Sequence, residues 1–102
     1  MPEVHFIERV DILTPVDKPN NEWESGNWAI SEDTAKKLVG GHIYPHRNQD
    51  KPSHFGGEIL SYRFLVDGEH AGRIIFRFRA DIACKGVKTG PDGWGYEKKI
   101  LW

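Results

Sequence analysis

Alternation of apolar and polar side chains is clearest in Arg73-Ile-Ile-Phe-Arg-Phe-Arg-Ala80. In an extended chain Ile74, Phe76 and Phe78 share one side, and Arg73, Ile75, Arg77 and Arg79 share the other. This predicts a half-buried strand. Glu58-Ile-Leu-Ser-Tyr-Arg-Phe-Leu-Val66, just before it, predicts an antiparallel partner. Asp67-Gly68 marks the hairpin, with a connection that can extend to Gly72. A two-residue turn there would set Glu58 opposite Arg77 and Tyr62 opposite Arg73.

The same reading places a strand over Val4–Leu13, rich in β-branched and aromatic residues. Thr14–Asn27, with Pro15, Pro19, Asn20-Asn21 and Ser25-Gly26, reads as a loop that carries Trp23. Helical signals gather at 32–39. Ser31 suits the N-cap, Glu32 and Asp33 the first turn, Lys36 and Lys37 the last, and Gly40 the position after the end. A short strand, His42–His46, follows directly, and Pro45 confines its far end to an edge or bulge. Residues 85–94 read as irregular, and Tyr96–Trp102 as a closing strand. The expected fold is mainly β within the α+β class: a small antiparallel pseudo-barrel or curved sheet with one short helix, as a single domain over 1–102.

Composition narrows the function classes. A chain of 102 residues supports one core. Fourteen Lys and Arg against 15 Asp and Glu leave a formal charge of −1, so attraction to nucleic acid or acidic membranes must come from a local patch. The single cysteine, Cys84, excludes an intramolecular disulfide and fits a reducing compartment. The start Met-Pro-Glu-Val shows no basic segment leading into an apolar run, and no stretch approaches the ~20 apolar residues of a membrane helix. The expectation is a soluble cytoplasmic protein without a membrane partner.

Candidate chemistry concentrates at 40–63, where two Gly-Gly pairs bracket His42, His46, His54, Arg47, Phe55 and Arg63. His42 and His46 on one strand face stand roughly 13 Å apart, too far to share a Zn²⁺ whose ligands lie ~2.1 Å away. No metal or cofactor is expected. No nucleophile motif stands out; Ser53 and Ser61 merely lie near histidines, and Cys84 reads as a small core residue. The arginines of residues 73–79 can bind phosphate or carboxylate groups, or can pair with acids such as Glu58 on the solvent side of the sheet. Trp23, Phe55 and Trp94 sit in polar or glycine-rich stretches, where an aromatic ring either plugs the end of the sheet or stacks on a planar ligand.

Trp28-Ala-Ile, the helix ending Ala-Lys-Lys-Leu-Val-Gly-Gly41, His-Ile-Tyr-Pro-His46 and Phe-Gly-Gly-Glu-Ile-Leu-Ser-Tyr-Arg63 together resemble the order of elements in PUA-like domains of the EVE and ASCH groups. The resemblance covers about residues 28–63. It implies a pseudo-barrel with a cleft between helix and strands for RNA, modified bases or nucleosides.

The expected function is therefore a small binding module for a nucleobase, nucleoside, nucleotide or short nucleic acid. Arg47, Arg63 and Arg77 would meet phosphate or base edges, Trp28 and Phe55 would stack, and His46 would hydrogen-bond. One alternative is a small hydrolase using His46 or His54 as general base beside Glu58. The other is a non-catalytic accessory factor that binds a protein partner through exposed aromatics.

Overall fold

Seven strands hydrogen-bond into one mixed sheet in a computed structural model that describes residues 2–8, 13–48, 50–90, 94 and 98–102. In chain order the elements are β1 (Glu3–Ile7), β2 (Thr14–Asp17), β3 (Glu22–Trp28), α1 (Glu32–Leu38), β4 (His42–His46), β5 (Gly57–Phe64), β6 (Ile74–Ala80), a single 3₁₀ turn (Ile82–Cys84) and β7 (Lys98–Leu101). The sheet order is β2-β3-β6-β5-β4-β1-β7. β1 runs parallel to β4, and every other pairing is antiparallel. The sheet curves around its core without closing into a barrel, so β2 and β7 remain as edges.

The core face carries Val4 and Phe6 of β1, Ile43 of β4, Ile59 of β5, and Ile74, Phe76 and Phe78 of β6. α1 covers it with Ala35 and Leu38. The sequence signals at this helix are realised as read: the Ser31 side chain accepts from the Thr34 amide, and Gly40 adopts a left-handed φ of 90°. Gly57 serves a different need. A Cβ there would overlap the Arg79 carbonyl, so only glycine lets β5 start this close to β6.

Three expectations change. The loop expected over Thr14–Asn27 is largely the β2–β3 hairpin. Asp17 accepts from both the backbone and the side chain of Asn20, and Asn21 takes φ 56°, so Asn-Asn supplies the turn rather than a long connection. Second, the β5–β6 connection runs to Arg73, with Gly72 N donating to Leu65 O, and β5 bulges between Ile59 and Ser61. The register therefore places Glu58 opposite Arg79 and Tyr62 opposite Phe76. Third, the first strand is described only over Glu3–Ile7; residues 9–12, like Tyr96 and Glu97 of the closing strand, lie outside the described residues. Among the described residues no helix is long and apolar enough to cross a membrane.

Candidate functional site

A pocket of about 220 Å³ opens against the core, lined by Leu13, Trp23, His54 and Phe55. β3 delivers Trp23 directly opposite Phe78 of β6. Phe55 meets Trp23 edge-on, with centroids 5.0 Å apart and planes at 77°, and rests against Phe78 at 5.8 Å. Trp23 Nε1 donates to Asn21 Oδ1, which fixes the indole from the hairpin side. His54 stands beside an acid: its Nε2 lies 3.8 Å from Glu8 Oε2, and Glu8 is 3% exposed. Glu8 follows β1, where its amide donates to His46 O, and His54 follows β4, where its amide donates to Pro45 O. The parallel β1–β4 pair thus carries both groups to the same end of the sheet.

The loop bearing His54 and Phe55 is pinned on one side by Ser53. Its hydroxyl donates to Cys84 O and accepts from the Val87 amide. That hydroxyl is consumed structurally, which removes Ser53 from the nucleophile candidates. Cys84 is buried, and burial pushes its thiol up from the ordinary range, so it packs rather than reacts.

His46 fixes the other side of the loop from within. It is fully buried, and both ring nitrogens are engaged: Nδ1 with Lys51 O at 2.8 Å and Nε2 with His5 Nδ1 at 2.8 Å. His5, 1% exposed, reaches on through Nε2 to Glu3 Oε1 at 3.0 Å. Burial holds both histidines below the ordinary imidazole value, against the Glu3 bond at His5 and the Lys51 carbonyl at His46, which favour charge. Tyr44 stacks on His5, and burial pushes its hydroxyl up to about 12. Trp94 closes over both rings edge-on.

The six residues expected to form the site are spread across the molecule. Phe55 lines the pocket. His46 has no ring nitrogen left to offer a ligand. Trp28 is stacked on Phe6 with centroids 3.8 Å apart, its Nε1 buried without a hydrogen-bond partner, so that face packs the core. Arg63 grips Glu24 through two hydrogen bonds, and Arg77 binds Glu22 at 2.7 Å with Arg79 3.8 Å from the same carboxylate. The hydrogen bonds from Arg63 hold the Glu24 carboxyl below its usual range. This face of the sheet is a ladder of alternating charge in which β3 supplies the acids, rather than an anion-binding stripe. Arg47 is exposed at the start of the 47–55 loop.

The acid expected beside His46 or His54 was Glu58. It is exposed on β5, opposite His42 and Arg79, and Glu8 takes the place beside His54. Sequence reasoning missed Glu8 and His5 because their partners, His54 and His46, lie some forty residues away across a parallel pairing that no local pattern signals, and it missed Glu3 because that side chain matters only through His5, two residues on. The isolated Trp23 and Phe55, each an apolar ring in a polar stretch, were the available signal for the pocket. Among the described residues no group of three or more His, Cys, Asp or Glu side chains is placed to hold a metal ion. No protein-family model, curated protein or solved structure matches the chain.

Proposed function

We propose that the Trp23–Phe55 pocket binds a small planar ligand of nucleobase or nucleoside size. The observation that carries this reading is the perpendicular pair of part-buried rings walling one pocket beside a histidine–carboxylate pair. A flat heterocycle gains stacking energy from either ring and presents a polar edge to His54. Size supports a base rather than a polymer. At about 220 Å³ the pocket falls below the ~300–1,000 Å³ typical of sites for larger ligands. Charge points the same way, since Arg63 and Arg77 are neutralised by acids and form no basic track for a phosphodiester chain. The PUA-like resemblance belongs to this proposal, supported by the order of α1, β4 and the Gly56-Gly57 start of β5. No residue of α1 lines the pocket, so the site proposed here differs from the helix–strand cleft the resemblance implies.

Chemical-shift titration with nucleobases, nucleosides and mononucleotides tests the reading. Shifts should centre on Trp23, His54 and Phe55, and Phe55→Ala should weaken binding about tenfold, the equivalent of ~1.4 kcal/mol of lost stacking. An unperturbed pocket across that panel at low salt overturns it.

The 3.8 Å approach of Glu8 to His54 favours one second reading, a hydrolase in which His54 deprotonates a water while Glu8 orients the ring. Product formation that disappears in His54→Ala would establish it. Ligand that binds and is recovered unchanged removes it. Trp23 of β3 and the loop aromatics Phe55 and Trp94 are part-buried, so the exposed aromatics that the accessory-factor alternative calls for are Phe64 and Trp102, away from the pocket lining.

A further inference from the structure

The buried chain Glu3–His5–His46–Lys51 carbonyl contains three contacts and two acceptor ends. Glu3 Oε1 accepts at one end, and Lys51 O accepts at the other. Between them lie four imidazole nitrogens joined by the His5 Nδ1···His46 Nε2 contact at 2.8 Å. Each contact needs one hydrogen, so the full chain needs three. Two neutral imidazoles carry only two. With His46 donating to Lys51 O and accepting from His5, the bare His5 Nε2 would face the Glu3 carboxylate. With the tautomers reversed, the bare His46 Nδ1 would face Lys51 O. Two imidazolium rings would carry four hydrogens and set N–H against N–H at the central contact.

We infer that the His5–His46 pair is a single-proton binding site, and that the proton it takes up locks the 47–55 loop to the sheet. The three-contact geometry is that of the singly protonated pair, with an imidazolium between the Glu3 carboxylate and the second, neutral ring. When the proton leaves, two hydrogens remain for three contacts, and one contact must open. The charge-assisted bond to Glu3 is the strongest, and the central contact joins two rings held in place by burial, whereas Lys51 lies on an exposed stretch of the loop; the Lys51 carbonyl is therefore the contact released, and the loop loses its inner anchor.

The surroundings fix the count at one. On β1, Glu3 favours the charge. On β7, Lys99 opposes it; Lys99 is 6% exposed, pairs with His5 across the strands and donates its ammonium to Gly90 O. On β4, Tyr44 stacks on His5 and is flanked by His42, and on the 3₁₀ turn Cys84 lies against Tyr44. Burial keeps the Tyr44 and Cys84 protons in place at neutral pH, so neither contributes a negative charge. Burial also lowers both imidazoles, which places uptake on the acid side of the ordinary histidine range, and the two rings titrate as one coupled unit.

The loop also carries His54 and Phe55, so if the pocket reading holds, ligand affinity follows the same proton; the test below needs no ligand. Imidazole ¹⁵N spectra of the full chain from about pH 8 to about pH 5 should show one ring of the pair becoming imidazolium while the other stays neutral. Over the same range the amide protection factors of Ser53 and His54 should rise. Glu3→Gln supplies the third hydrogen from its amide, and Glu3→Ala removes one acceptor. Either change should lower the pair's midpoint by about one unit or more, and abolish the pH dependence of loop protection. Both substitutions fall at a side chain about a third exposed, outside the core. Two charged rings in the folded chain, independent titrations at the ordinary value, or an unchanged midpoint in both variants would overturn the inference.

Discussion

His5 and Arg63 show in opposite ways what a residue's neighbours decide. His5 lies within an apolar strand pattern and gave no functional signal, yet its strand mates Glu3 and Lys99, with His46 across the parallel pairing, place it in a buried charge network. Arg63 gave a strong signal, and Glu24 absorbs it. The buried histidines carry a pH consequence whose sign follows from burial. Both folded-state values lie below 6.5, so an unfolded chain binds more protons than the folded one once the pH falls under that value. Stability should therefore be level between about pH 7 and about pH 8 and decline toward about pH 5.5. The slope should approach ~1.4 kcal/mol per pH unit for each proton withheld. Urea midpoints measured across that window check it; midpoints that hold constant or rise on acidification contradict the burial of the pair.

At the scale of elements, the helix and the β5 and β6 strands were legible because each carries its own pattern: caps around 31–40, a β-branched and aromatic run at 58–66, and apolar–polar alternation at 76–79. The β2–β3 hairpin was not. Glu22-Trp-Glu-Ser-Gly-Asn-Trp28 has no β-branched residue, and a bulge between Glu24 and Asn27 breaks its alternation. β3 pairs with β6 on both sides of that bulge, and a side chain bridges the gap between. Ser25 Oγ accepts from the Phe76 amide at 3.0 Å, standing in for the backbone carbonyl that the bulge displaces. Ser25→Ala leaves that buried amide without an acceptor and should cost ~1–3 kcal/mol, measured by chemical denaturation, with strand pairing between β3 and β6 weakened in hydrogen exchange. Ser25→Thr keeps the hydroxyl and should recover most of the loss.

Across the whole molecule, stability depends on joining the two ends of the chain. β7 pairs with β1, setting Ile100 opposite Val4 and Lys99 opposite His5, and among the described residues no other strand covers that side of the open sheet. A chain truncated after residue 97 should lose ~3 kcal/mol or more, roughly 10–20 °C in Tm, and should free the His5–His46 pair from the opposing ammonium of Lys99. Thermal unfolding followed by circular dichroism checks the first expectation, and histidine titration by NMR the second. A radius of gyration of 12.6 Å, close to the ~13 Å of a compact 100-residue domain, fits an arrangement in which such distant segments meet.

What could be read from the chain alone is local: a mainly β chain with one capped helix, the glycine corners at Gly40 and Gly57, and the core face of Ile74, Phe76 and Phe78. Period, capping and steric fit act over a few residues and leave a readable trace. Which arginines are neutralised, that Trp23 and Phe55 face one pocket, and that Glu3, His5 and His46 form one hydrogen-bonded chain were set by long-range pairing. Those facts depend on register and on a parallel pairing between residues 3–7 and 42–46. A one-residue slip of register would turn every side chain of that pairing to the opposite face.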